Sequence, residues 1–498
     1  MRKLIILISL FVYASCGTKD YKHKRAKLLQ DEFLLTLGGK VNLTDKEIAV
    51  NKCLMKHKEN ELDYGFDHPE HFNLSHHYFS YRESIKQSKV YKILKEMPKG
   101  AALHVHDMGI LGPDYLMNIT YMEHLYVCFG SKLLLQFSLR RPDVTCTGKW
   151  QLMSEARRLS NNVTKFDAEL RKHFTLVVDN PDIVYPSITE TWKAFMDYFI
   201  TVAPMLSYRP LWEQYFYDAL KKFRESNILY VEVRSILPNL YELDGTVYSP
   251  LITAMAYRKT IKTFLDDYPD FVGAKLIYAP SRKVETSTVN EYLELAKLIK
   301  KDMPDFFAGF DLVGQEDLGN PLVDFVPPLL GASKELNYFF HAGETDWSGL
   351  PTDENLVDAI LLGTKRIGHA YALLKHPLLL REVVFNDIGL EVNVVSNTVL
   401  SLVRDVRNHP LSLFLALDLP VVLSSDDPGI WEADVITDDF YLAFVAVSSK
   451  HSDIRMLKTL AMNSLKYSAL NETSKIAAFN KFNTQWNKFV NEFDCSKY

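Results

Sequence analysis

The chain has 498 residues, 47% of them hydrophobic, with a formal charge of −5 at neutral pH. That is ample for a large core, and so mild a charge excludes a globally basic nucleic-acid binder. Such a length divides into about two to four domains unless an α/β barrel takes much of it as one unit.

Arg2 and Lys3 precede an apolar run from Leu4 to Tyr13, then Ala14, Ser15, Cys16 and Gly17. A charged start, a short apolar core and small residues for cleavage read as a secretory signal peptide over residues 1–16. The run is too short to span a bilayer comfortably, and no later segment reads as transmembrane. Export agrees with sequons at Asn42, Asn73, Asn118, Asn162 and Asn471, acceptors for N-glycosylation. Cys128 and Cys146 lie close in one segment and make the natural disulfide, while the partners of Cys53 and Cys495 stay open.

Residues 17–100 read as a polar, helical region suited to packing on the rest of the chain or on another subunit. Helices are expected from Lys22 to Leu37, from a start at Thr44 or Asp45, and from Tyr78 to Met97. Pro98-Lys99-Gly100 ends that pattern. After a first strand the chain makes an excursion to about Asn227, and the segment from Cys128 to His173 within it holds nine Lys and Arg against four Asp and Glu. This sign reversal marks either an insertion facing an anionic partner or a solvated basic face. Helical, aromatic-rich stretches follow at Thr191 to Phe199 and Leu211 to Phe223.

Apolar strands then recur at Ile228 to Arg234, Ala274 to Ala279, Phe307 to Val313, Asn337 to Phe340, Arg366 to Gly368, Leu390 to Val395 and Pro420 to Ser424. Helical stretches separate them, as at Thr288 to Lys301, Asn355 to Leu362 and Leu378 to Phe385. With Ala101 to Val105 this makes eight strands, and strand–helix alternation implies a parallel sheet. The expected fold is α/β, a (β/α)8 barrel over residues 101–498 with an N-terminal helical region and an insertion after strand one, its basic part at about 128–173. A doubly wound open sheet is the rival, but no G-x-G-x-x-G follows an early strand.

Barrel chemistry sits at the C-terminal ends of strands. There the sequence places His104, His106 and Asp107 on the first strand, His341 and Glu344 after the fifth, His369 on the sixth, and Asp426 and Asp427 after the eighth. Residues two apart on a strand share a face, so His104 and His106 form a bidentate clip. His341 can add a nitrogen and Asp426 an oxygen, a donor set that suits Zn²⁺ with room for water. Zinc lowers the pKa of water to ~7. His369 can then take the water's proton or orient the hydroxide, Asp427 can hydrogen-bond water or substrate, and a protonated Glu344 can give a proton to a ring nitrogen.

The set Leu103-His104-Val105-His106-Asp107, Gly309-Phe310-Asp311-Leu312-Val313-Gly314, His341-Ala342-Gly343-Glu344, Gly368-His369 and Ser425-Asp426-Asp427-Pro428 resembles the adenosine deaminases, metal-dependent amidohydrolases. The export signals, helical start and insertion resemble their secreted branch, the adenosine deaminase-related growth factors. The resemblance implies one zinc per subunit on His104, His106, His341 and Asp426, and hydrolysis of adenosine and 2′-deoxyadenosine to the inosines. It implies Glu344 as proton donor to N1, His369 as proton acceptor, and contacts from Gly314 to N3 and Asp427 to N7. Asp107 and Trp192 are implied as further nucleoside contacts, while Ser281 stands where secreted relatives often carry a histidine. It also implies a homodimer built by the N-terminal helices, and glycosaminoglycan or receptor binding through the insertion, with a growth-factor-like role beside catalysis. The rival readings are a vestigial barrel acting only as a growth factor, and an adenine or AMP deaminase. The cytidine-type H-x-E…P-C-x-x-C signature is absent.

Overall fold

The computed structural model describes the backbone of residues 2–498 and the side chains of residues 18–498. The segment read as a signal peptide lies outside the residues whose side chains are described. No helix among the described residues is long and apolar enough to cross a membrane.

Eleven strands form three sheets among the described residues. β1 (Gly100–His106), β5 (Ile228–Ser235), β6 (Gly273–Tyr278) and β7 (Phe307–Phe310) pair in parallel in that order. β8 (His341–Ala342), β9 (Arg366–His369), β10 (Gly389–Val392) and β11 (Val421–Leu423) form a second parallel sheet. Parallel bridges at Phe310–Tyr338 and Val105–Asp426 join the two sheets at both edges and close an eight-stranded ring. The strands are almost wholly buried because the helices between them cover the outer face. This is the expected (β/α)8 barrel.

The departures from expectation are local. The fifth strand pairs regularly only at His341 and Ala342, with Tyr338 bridging alone. The seventh ends at Val392, and Val394–Val399 turns helical. The stretch expected as one helix from Tyr78 to Met97 is three short pieces, Tyr78–Tyr81, Ile85–Gln87 and Lys89–Glu96. Ser88 caps the last of them by accepting the Tyr91 N–H, an N-cap that ends one helix and begins another. Thr44 does start a helix, Asp45–Asp67, through a capping box with Glu47.

The insertion contains a small antiparallel sheet that the sequence reading did not foresee. β2 (Leu125–Phe129) pairs with both β3 (Leu133–Phe137) and β4 (Trp150–Leu152). Cys128 and Cys146 are disulfide-bonded, and so are Cys53 and Cys495, which settles the pair left open.

Candidate active site

Alternation along β1 points His104 and His106 to one face, and their Nε2 atoms lie 3.3 and 3.1 Å from Asp426 Oδ1. The His341 ring stands 4.5 Å from that of His104, centroid to centroid. Gly368 makes this closeness possible, since a Cβ there would meet the His104 ring at 3.0 Å. His104 Nε2 is buried without a hydrogen-bond partner. Donor atoms of His104, His341, His369 and Asp426 all lie within 4.8 Å of one another, as do those of His106, Asp426 and Asp427. An orphaned imidazole nitrogen among nitrogen and carboxylate donors fits a metal ion.

Behind these rings runs a chain of buried ions. His104 Nδ1 meets Glu391 at 2.7 Å and His341 Nδ1 meets Asp311 at 2.6 Å. Arg234 donates to both carboxylates, at 2.7 Å to Glu391 and 2.8 Å to Asp311. Arg366 extends the chain from Glu391 to Glu232. All five charged residues are fully buried. Removing one member of such a network strands the others, at a cost of about 3–5 kcal/mol. Burial acts to raise the Glu391 and Asp311 carboxyls, but the facing cations outweigh it and hold both below the usual range. Burial brings His341 down to about 3, against the pull of Asp311. A carboxylate on Nδ1 fixes the tautomer with a bare Nε2, as metal-ligating histidines require.

Glu344 follows β8 at the rim. Burial and then the negative Asp426 and Glu316 push its carboxyl well above the ordinary value. Its Oε1 has no hydrogen-bond partner and lies 3.4 Å from His369 Nδ1. Glu316 holds the turn by accepting the N–H groups of Gly343 and Glu344 at 3.1 and 3.0 Å. Asp427 is likewise raised, by burial and then by Asp426, and its Oδ1 is unpartnered. Burial works against the Asp426 charge, but the His104 and His106 rings that face it hold its carboxyl well below the ordinary value. His369 and Asp426 both have positive φ, 62° and 58°. Left-handed backbone is strained for such residues, and strain of this kind gathers at functional sites.

These groups open onto a cavity of about 250 Å³ that Asp107, Trp192, Ser281, Gly314, His341, Glu344, His369 and Asp427 all line. Trp192, Phe195 and Phe199 of the helix Ile188–Leu206 make its apolar wall. Gly314 has φ of 108° and open space beside it, so its backbone faces the cavity bare. Asp107 lines the cavity with both oxygens engaged, Oδ1 by Met108 N–H at 2.8 Å and Oδ2 by the Tyr257 hydroxyl at 2.7 Å. A larger groove of about 1130 Å³ includes Lys275, Asp305 and Asn471 at the opposite, N-terminal end of β6. It holds no histidine, so the smaller cavity is the chemical one.

The structure therefore brings every site residue named from the sequence to one place. Arg234, Glu316, Glu391, Asn397 and His409 join the site beyond those residues, and Asp311, visible in the sequence only as part of its motif, backs His341. Glu391 and the Glu232–Arg234 pair were visible as charges inside apolar strands, where charged residues are rarely buried unless paired.

A sequence profile described as Adenosine deaminase matches residues 171–485, and one described as Adenosine/AMP deaminase N-terminal matches residues 4–94. The chain is similar to an adenosine deaminase of Aedes albopictus, 42% identical over 473 residues, covering 94% of this chain and 88% of the relative. It is 38% identical to the adenosine deaminase 2 of Homo sapiens over 495 residues, covering 98% and 96% of the two chains. Among solved structures, an adenine deaminase from Arthrobacter aurescens has a TM-score of 0.55 at 19% identity, covering 78% of this chain and 99% of its own. That likeness concerns the fold. The profiles and the near full-length identity concern the sequence itself, and by them the chain belongs to the adenosine deaminase family.

Proposed function

We propose that this chain is an exported zinc hydrolase converting adenosine and 2′-deoxyadenosine, with water, to the corresponding inosines and ammonia. The observation that carries the reading is the meeting of His104, His106, His341 and Asp426 with a raised carboxyl, Glu344, on one cavity. His104, His106, His341 and Asp426 would hold the metal, which supplies Lewis acidity that makes water nucleophilic near neutral pH. Glu344, kept protonated by its surroundings, gives its proton to N1 as water adds at C6. Asp427, also protonated, donates to N7, and the bare Gly314 N–H meets N3. His369 touches both Glu344 and Asp426 and so stands beside the attacking water. Trp192 and its aromatic neighbours cover the nucleoside and exclude bulk water.

Two disulfides and five exposed sequon asparagines support export. Leu28, Leu29 and Leu35 on the first helix are more than half exposed, which supports a dimer through that region. Arg140, Arg141, Lys149, Arg158 and Lys165 are exposed in the insertion and lie in none of the observed ion pairs, which supports a polyanionic partner such as a glycosaminoglycan. The direct test follows the absorbance change from adenosine to inosine with purified protein, before and after chelation. Turnover that stops with chelator and returns with zinc is expected. Turnover indifferent to chelator removes the metal from the reading, and no turnover removes the substrate.

A further inference from the structure

His369 sits at one end of a hydrogen-bond relay whose other end is a backbone N–H. The Leu411 N–H points at His409 Nδ1 at 3.0 Å. A backbone N–H can only donate, so that nitrogen carries a lone pair and the His409 hydrogen is on Nε2. His409 Nε2 lies 3.0 Å from the Asn397 side chain, which must present its oxygen there. The Asn397 amide N–H₂ is thereby turned to His369 Nδ1, at 3.1 Å. Glu344 Oε1, 3.4 Å from that nitrogen, makes no hydrogen bond, so His369 Nδ1 accepts from the Asn397 amide and its hydrogen lies on Nε2. The order of donors and acceptors follows from one fixed group and needs no assigned hydrogen. His369, Asn397 and His409 are all buried, so water does not compete for the relay.

We infer that Asn397 and His409 are positioning residues that hold His369 as the Nε2–H tautomer, a hydrogen-bond donor at the reaction centre. The same logic gives His104 and His341 the opposite tautomer, because carboxylates stand on their Nδ1 atoms. Rings of one type are thus sorted by what lies behind them. Those backed by carboxylate offer a lone pair to a metal, and the one backed by an amide offers a hydrogen. His369 Nε2 is 3.7 Å from Asp426 Oδ2, beyond a direct hydrogen bond. An oxygen entering between them meets an N–H on one side and a carboxylate on the other. The resting His369 then orients the nucleophile as a donor, which differs from the proton acceptor implied by family resemblance. This deepens the deaminase reading and rests on it only for the identity of that oxygen.

The test is ¹⁵N NMR of the full-length, zinc-loaded protein labelled in its histidine rings, with His369 assigned by loss of its signals in His369→Gln. A protonated and a bare ring nitrogen differ in shift and in coupling to the ring protons. Nε2–H is expected in the wild type. Asn397→Asp has the same shape but cannot donate to Nδ1, so His369 should switch to Nδ1–H. Turnover should then fall on the order of 10²-fold or more in kcat with little change in KM, as when a catalytic imidazole is held in the wrong tautomer. His409→Gln keeps an amide donor toward Asn397 and should retain more of the wild-type signal than His409→Phe. Metal analysis gives a second readout, with zinc retained in His369→Gln and lost in His106→Gln. An Nδ1–H tautomer in the wild type overturns the inference even if adenosine is deaminated, and the wild-type spectrum suffices should the variants misfold. An Nε2–H signal in a protein that does not deaminate adenosine upholds the relay and rejects the substrate.

Discussion

Glu344 and Glu391 are both buried glutamates near a histidine, yet their surroundings set them opposite tasks. Glu344 faces carboxylates and keeps its proton, while Glu391 faces Arg234 and Arg366 and stays ionised. Glu344→Gln keeps the shape and removes the acid, so kcat should fall on the order of 10²-fold or more with the metal still bound. A rate near wild type would take Glu344 out of the mechanism. Glu391→Gln should act through His104 instead. With the orienting charge gone, metal affinity should drop by about 10–100-fold, measured by competition with a chelator. His341→Ala removes a donor outright and should abolish metal retention and turnover together. Stoichiometric zinc in that variant would sink the donor set.

At the scale of elements, much of the barrel was legible because each strand is a short apolar run closed by a polar residue, a pattern that burial on both faces imposes. The rim residues were legible for the same reason, since histidines and acids that end apolar runs stand out. Short strands and helix breaks were less so. Val394 and Val395 continue an apolar run that reads as strand, yet the chain turns helical there under tertiary packing, as Asp439 accepts the Val395 N–H. The insertion's sheet was hidden by its mixed pattern, and Arg157, one of the nine cations of the basic segment, donates to Asp167 and Thr120. Neutralising Arg140, Arg141, Lys149, Arg158 and Lys165 should therefore weaken salt-sensitive retention on heparin and spare turnover, whereas Arg157→Ala should destabilise the insertion. Absence of retention in the wild type at low salt leaves those five as a solvated face. The N-terminal helices dock through Lys58, whose ammonium meets Ser448 Oγ, Ser449 O and Ser452 O at 3.1, 2.8 and 2.8 Å. Burial lowers its pKa to about 7. Between about pH 7 and the unfolded value near 10.5 the unfolded lysine keeps a proton that the folded one releases, so this group makes stability rise with pH. Lys58→Met should lower the melting temperature and also flatten its rise between pH 7.5 and 9.5, and an unchanged slope would show that Lys58 stays charged in the fold.

Across the whole molecule the two ends of the described chain are fastened to each other over the barrel's flank. Glu47 of the helix Asp45–Asp67 accepts from Lys458 at 2.7 Å and from the Trp486 indole at 2.8 Å. Burial works against its charge, but these bonds and those from Thr44 hold its carboxyl at about 2. Cys53 of the same helix is bonded to Cys495, 442 residues away, whereas Cys128 and Cys146 are 18 apart. Closing a loop restricts the unfolded chain more as the loop lengthens, by roughly 6 kcal/mol for the long loop against roughly 3 for the short one. With an unfolding entropy near 2.1 cal/mol/K per residue, about 6 kcal/mol corresponds to about 6 °C in a chain of this size. Cys495→Ala should lower the melting temperature of the whole protein by up to that amount while leaving turnover at 25 °C intact, because neither cysteine lines the cavity. Cys146→Ala should act locally, opening the insertion to limited proteolysis before the barrel unfolds. Measuring thermal unfolding and proteolytic cleavage on both variants separates the two roles. If Cys146→Ala lowered the global melting temperature more than Cys495→Ala, the fastening of the termini would not be what the long disulfide contributes.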